Sequence, residues 1–267
     1  TLWHTLSLHD ALPICRKMKK LMISLVILTG ITLVCSSAQA LTADEVVEKA
    51  NQAAYYQGDD GRSDVHMVIT DSLGRTRERK MTILRMDGAD QKQQKYYVYF
   101  NEPSDVKGMA YMVWKHPGSD DDRWLYLPAR DLVRRVASSD KRSSFVGSHF
   151  AYEEISGRGS EEDEHMIEEE TDEFYRIKST PKDPGNVEFS YYVTWVDKND
   201  FLPRKAQLYD KNGKHYKTIE ALEVEEVQGH PTITRMKATD LNSKGNTVSE
   251  FSGIEYNIGL GEDIFTE

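Results

Sequence analysis

Between Val65 and Tyr256 apolar residues recur at every second position in one segment after another, with brief polar turns between them. Neighbouring side chains on an extended chain point to opposite faces, so this period marks β-strands. Val65, Met67 and Ile69 lead to a turn at Asp71-Ser72-Leu73-Gly74, and the chain returns through Met81 and Ile83. Further segments cover 95–100, 108–116, both sides of Pro128, 173–180, 187–195, 201–209, 214–227, 232–241 and 247–256. The order is that of a meander, and it amounts to about ten or eleven antiparallel strands. A sheet of that width does not stay flat, so a mainly β barrel or part-barrel is expected.

One helix stands ahead of the strands. Thr42 and Glu45 form a capping box, and Val46, Val47, Ala50, Ala53 and Ala54 follow at helical spacing as far as Tyr55-Tyr56. The stripe is made of small residues, which suits close packing on something large and flat. Before it, Lys19-Lys20 follow Met18, an uncharged run extends from Leu21 to Cys35, and Ala38-Gln39-Ala40 closes the segment. That order is a basic region, an apolar region and a small-residue cleavage site, and the run is shorter than the roughly 20 residues that span a bilayer. Residues 18–40 are therefore expected to be a cleaved signal peptide. Val34 is too bulky for Cys35 to be a lipid-modified N-terminus. Residues 1–17 resemble translated adapter DNA and read as a non-native fusion. The expected mature chain is a single domain, 41–267. Its last residues, Glu262 to Glu267, begin an amphipathic segment and stop, so the natural C-terminus is expected beyond them.

Acidic residues outnumber basic ones, 44 to 34, for a net charge of −10. Removal of a basic leader leaves the chain more acidic still, which excludes a general phosphate-backbone binder, so no nucleic acid is expected as a partner. Cys15 and Cys35 both precede the mature part, leaving no disulfide framework or thiol chemistry there. Gly-x-Ser-x-Gly, His-Glu-x-x-His and a phosphate-cradling glycine loop are all missing, so neither an enzyme nor a cofactor is expected. His149 with Glu153 and Glu154 has metal-ligand residue types but no second tight pair, and it reads as a surface or hydrogen-bonding histidine. The run Gly157 to Glu173, GRGSEEDEHMIEEETDE, reads as a solvated acidic loop.

The densest aromatic region is Asp120 to Ile155 together with the strand before it. In Ala110-Tyr111-Met112-Val113-Trp114 and Trp124-Leu125-Tyr126-Leu127 both faces are apolar. Such strands need cover on both sides, or cover on one and a ligand on the other. A sandwich core and a lined cavity fit this pattern equally, since aromatics dominate cores and methionine adapts to variable apolar ligands.

The ordered segments Gly108 to Trp114, Asp122 to Pro128, Val133-Arg134-Arg135-Val136, Ser144 to Phe150 and Tyr152-Glu153-Glu154 closely resemble the outer-membrane lipoprotein-sorting family, the LolA/LolB-like carriers of the Gram-negative periplasm. The likeness covers most of the chain from Leu41, and it is nearest the longer branch associated with RND-type exporters. It implies a curved, incomplete antiparallel barrel whose helices cover the concave face, with an apolar cavity for lipid or lipoprotein acyl chains. On that implication Met112, Trp114, Trp124, Tyr126, Phe145, Phe150 and Trp195 are the candidates for the cavity wall. Arg134 and Arg135 are candidates for a headgroup contact or for locking a lid. The implied partners are acyl chains and an RND-type inner-membrane transporter or an outer-membrane acceptor. The same architecture also serves a regulator of envelope-stress signalling, so a lipid-responsive sensor or adaptor is the alternative function.

Overall fold

The computed structural model describes residues 40–88 and 93–266. The expected signal segment, except for Ala40, and the segment 1–17 lie outside the described residues. Helix α1 spans Ala43–Tyr55. Its start is fixed as the sequence implies: the Glu45 N–H donates to Thr42 Oγ1 at 3.2 Å, and the Thr42 N–H donates to Glu45 Oε2 at 2.8 Å. Two donors of the first turn, which have no partner inside a helix, are satisfied in this way. Val46 and Ala50 are buried at 0% and 8% exposure.

The rest is one sheet of thirteen strands. They are β1 (Asp60–Thr70), β2 (Thr76–Asp87), β3 (Gln94–Glu102), β4 (Ala110–Lys115), β5 (Asp122–Leu127), β6 (Leu132–Arg135), β7 (Asp163–Glu170), β8 (Phe174–Pro181), β9 (Phe189–Asp197), β10 (Pro203–Asp210), β11 (His215–Val227), β12 (His230–Asp240) and β13 (Gly245–Tyr256). The spatial order is β6-β5-β4-β3-β2-β1-β13-β12-β11-β10-β9-β8-β7. Two meanders therefore meet where β1 pairs antiparallel with β13, and β6 and β7 remain as free edges. The sheet is curved and is not closed into a barrel.

The sequence expectation of about ten or eleven strands fell short. The clearest miss is β7, which occupies the middle of the acidic run read as a solvated loop. An edge strand needs one hydrogen-bonded neighbour and one covered face, so it shows little apolar periodicity. In β7 Asp163, His165 and Ile167 turn inward while Glu164, Met166 and Glu168 face out. That acidic edge also discourages pairing with another chain.

Register assigns the faces. Tyr111 pairs with Leu125 and Val98, and Val113 with Arg123 and Tyr96; these side chains share the concave face with Met81, Val65 and Met67. Met112 pairs with Trp124 and Tyr97 on the other face. There they pack with Met86, Trp114 and Phe265, the last from a single turn at Glu262–Phe265. The strands that are apolar on both sides thus have protein cover on both.

The segment from Ser138 to Gly157 crosses the concave face and contains a short helix, α2 (Tyr152–Ser156). Phe145 at 0% and Phe150 at 3% exposure join the main core cluster, each stabilising the fold by roughly 1.5–3 kcal/mol through burial. Phe145 lies 5.8 Å from Phe100 and 5.5 Å from Tyr111, ring centre to ring centre. His149 tethers this segment to β13. Its backbone N–H donates to Thr247 Oγ1 at 3.0 Å, and its Nδ1 lies 2.8 Å from the same hydroxyl. Gly245 makes room for it, because a Cβ there would collide with the His149 ring and the Thr70 carbonyl.

Candidate functional site

Between α1, the covering segment and the concave face lies a cavity of about 440 Å³. Val47, Ala50 and Ala54 of α1 form one wall. The sheet supplies Val65, Met67, Met81 and Ile83 on one side, and Leu208, Ile219, Ala221, Met236 and Phe251 on the other. Phe150 and Ile155 border it from the covering segment. The helix approaches closely because its stripe is small, while Ala206 and Ala221 on the sheet leave space where a larger residue would fill it.

Charged groups border the same space. Arg142 and Glu154 come from the covering segment and Arg158 directly follows it; all three belong to a largely buried ionic network. Glu154 accepts from Arg142 Nη2 at 3.0 Å, from Lys217 Nζ at 2.5 Å and from the Ala151 N–H at 2.9 Å. Glu153, with a side chain 1% exposed, meets Lys141 at 2.9 Å and Arg142 and Arg158 at 3.2 Å each. Arg158 also grips Asp163 with two hydrogen bonds, at 2.9 and 3.0 Å. Burial alone would raise the Glu154 carboxyl, but Lys217 and Arg142 outweigh it and hold the group at about 2. A buried charge left unpaired is expensive, so this network keeps the covering segment seated on β11 and β7. On the far side Arg85 donates to Asp87 at 2.6 Å and to the carbonyls of Gln57 and Gly58 at 2.5 and 2.9 Å, which fixes the end of α1.

Of the residues singled out from the sequence, Phe150 borders the cavity. Phe145 lies beneath the covering segment in the core and does not border it. Met112, Trp114, Trp124 and Tyr126 project from the opposite face, away from it. Trp114 and Trp124 stack edge to face at 5.3 Å, Trp114 Nε1 donates to the Phe265 carbonyl at 3.0 Å, and Tyr126 Oη donates to Asp131 at 3.0 Å. Trp195 also faces outward, under Lys205 at 4.0 Å from its ring. Arg134 and Arg135 are exposed on the edge strand, where they pair with Asp140 and Asp122. Arg142 and Lys217, which the sequence did not single out, are the basic groups that tie the cover to the sheet. Their signal in the sequence is faint: one basic residue on a strand and one in a loop.

Comparison with known proteins follows the same lines. A family model with the description "-like: Uncharacterized protein" matches residues 92–267. A comparison with curated proteins gave no match. Among solved structures, a DUF1329 family protein from Desulfovibrio piger is 29% identical with a TM-score of 0.78, over 84% of this chain and 96% of that one. A domain described as an outer membrane lipoprotein-sorting protein, from Vibrio parahaemolyticus, is 26% identical with a TM-score of 0.75, over 84% and 96% of the two chains. A LolA superfamily protein from Nitrosomonas europaea has the same fold at 21% identity and a TM-score of 0.68, over 85% and 99%. The chain belongs to the family that matches residues 92–267, and its fold is that of the LolA-type lipoprotein-sorting proteins.

Proposed function

We propose that this protein is an exported periplasmic carrier that holds acyl chains of a lipid or lipoprotein in the cavity and delivers them toward the outer membrane or an exporter partner. The observation that carries this reading is the apolar cavity of about 440 Å³ between α1 and the concave face, in a lipoprotein-sorting fold. Its size falls in the roughly 300–1,000 Å³ range of small-molecule sites. Each methylene moved from water into such a wall gains about 0.8 kcal/mol, so even part of an acyl chain is held reversibly. Methionines at 67, 81 and 236 give the wall side chains that adapt to different chains. The role is one of binding and release, with no bond made or broken.

Native mass spectrometry of protein purified from the periplasm, followed by lipid extraction, tests this. A bound acyl lipid, removable by solvent and replaced by an acylated fluorescent probe, is the expected result. Protein that carries no lipid and takes up no probe would sink the reading.

A further inference from the structure

The ladder between β12 and β13 is incomplete. The two strands pair from Arg235 with Glu250 to Asp240 with Gly245, and no further among the described residues. Beyond that point each keeps only its other neighbour: β12 stays on β11 as far as His230, and β13 stays on β1 as far as Tyr256. A slot therefore lies between residues 230–234 and 251–256. Both of its lips are irregular. On one, the register slips beside Thr234, where Glu223 pairs with Arg235 but Val224 pairs with Ile233. On the other, Arg62 pairs with Glu255 and Asp64 with Ser252, so Gly253 and Ile254 stand opposite Ser63 alone. Gly253 takes a φ of +55° to allow this. Such slips bend a strand and raise its twist, which parts the two lips.

The slot lies on the cavity. On a regular strand only alternate residues face one side. Yet Thr232 and Ile233, consecutive on β12, both border the cavity, as does Ile254 on the opposite lip. Arg62 stands beside Leu84 on the outer face and pairs there with Asp64 at 2.9 Å. It borders the same space, with a side chain 41% exposed. The apolar volume thus continues toward the outer face at the slot.

Side chains close this gap where the main-chain ladder does not. Thr232 Oγ1 and Tyr256 Oη lie 2.9 Å apart, and the Tyr256 N–H donates to Gln228 Oε1 in the β11–β12 turn at 2.6 Å. Gln57, just past α1, donates to the Pro231 carbonyl at 2.5 Å. These are hydrogen bonds between neutral groups, each of modest net strength. The covering segment is held by buried ion pairs instead, Glu154 with Lys217 and Glu153 with Arg142 and Arg158. Lifting it would strand those charges, so opening the slot costs less than lifting the cover.

We propose that the slot between β12 and β13 is the portal through which acyl chains enter and leave the cavity, with the Tyr256–Thr232 contact as its latch. The proposal rests on the carrier reading and adds the route of transfer: cargo crosses the wall of the sheet while the covering segment stays seated. A methylene chain is narrow and unbranched, which suits a gap between two strands lipped by Ile233 and Ile254.

Stopped-flow mixing of the purified protein with a fluorescent fatty acid measures uptake, and dilution of the complex into excess unlabelled fatty acid measures release. Tyr256→Phe removes the latch hydroxyl and keeps the ring. It should speed uptake and release together by about fivefold, the scale of one lost hydrogen bond. General loosening of the fold does not imitate this, because it raises release without raising uptake. Ile254→Trp places an indole in the slot and should slow both steps by about tenfold. An indole that merely crowded the cavity would speed release instead. Glu154→Gln, assayed where it remains folded, should exchange at the wild-type rate. Wild-type rates in either Tyr256→Phe or Ile254→Trp overturn the portal, as does an effect on release alone. Faster exchange in Glu154→Gln than in Tyr256→Phe also overturns it and assigns the route to the covering segment, leaving the carrier reading standing. Wild-type protein that takes up no fatty acid defeats the carrier reading, and the portal with it.

Discussion

Lys217 on β11 and Glu154 on α2 meet at 2.5 Å, a direct tie between the floor of the cavity and the segment that covers it. The side chains are 7% and 13% exposed. Removing one member of a buried pair leaves the other charge uncompensated, which typically costs about 3–5 kcal/mol. Glu154→Gln should therefore lower the urea midpoint by about that free energy without changing the slope of the transition. Glu162→Gln, whose side chain is 33% exposed, should cost under about 1 kcal/mol. Equal effects from the two would mean that the Lys217–Glu154 tie has no special weight.

The same carboxylate sets a pH dependence. Its pKa falls from 4.5 to about 2 in the fold, so the folded state binds this proton less readily than the unfolded chain. The resulting stabilisation is present in full above pH 4.5 and is lost as pH falls from there toward 2, a contribution on the order of 3 kcal/mol. Glu153 and Glu188 are also lowered, by the basic groups around them and against their burial, and they act in the same direction. Wild type and Glu154→Gln should thus differ most at neutral pH and converge in acid. Urea transitions measured at pH 7, 4.5 and 3 check this; a gap that stays constant would contradict an ionised Glu154.

The sheet was legible because period two is a local signal, read strand by strand from residues such as Val65, Met67 and Ile69. The capping box at Thr42 and the turn at Asp71 are local in the same sense. The facing of Met112 and Trp124 was not legible. Both faces of β4 and β5 are apolar, and the cover on one face comes from Phe265, far along the chain. Its contact with Trp114 cannot be read from either neighbourhood. The lining of the expected cavity escaped for a different reason. It is made by volume that is missing, at Ala50, Ala54, Ala206 and Ala221, and the aromatic residues that drew attention fill space instead. The ionic network was hidden because Arg142, Glu154 and Lys217 look like solvated residues until the fold brings them together.

Phe265 separates these two faces experimentally. It is fully buried against Met86 and Met112, and Phe265→Ala should cost about 3–4 kcal/mol by opening a cavity on the outer face. Under conditions where the variant remains folded, its affinity for an acyl probe should stay within about twofold of wild type, since none of these residues borders the inner cavity. Trp124→Phe should behave alike with a smaller loss. Loss of probe binding in step with loss of the outer-face contacts would instead place the acyl site on that face.

Filling the inner cavity makes the converse case. Ala221 borders it, and the adjacent Glu220 projects from the other side of β11. An indole placed at 221 enters open space, so Ala221→Trp should be tolerated at a cost near the low end of the roughly 1–3 kcal/mol typical of overpacking. It should nevertheless weaken acyl-probe binding about tenfold or more, because the indole takes up volume that a chain of methylenes needs. Glu220→Trp adds the same side chain one position away, on the opposite face, and should leave the affinity unchanged. Probe titration of the two variants, with thermal unfolding as a control for folding, separates the faces by strand parity alone. If Ala221→Trp binds as well as wild type while Glu220→Trp does not, the concave cavity is not the acyl site.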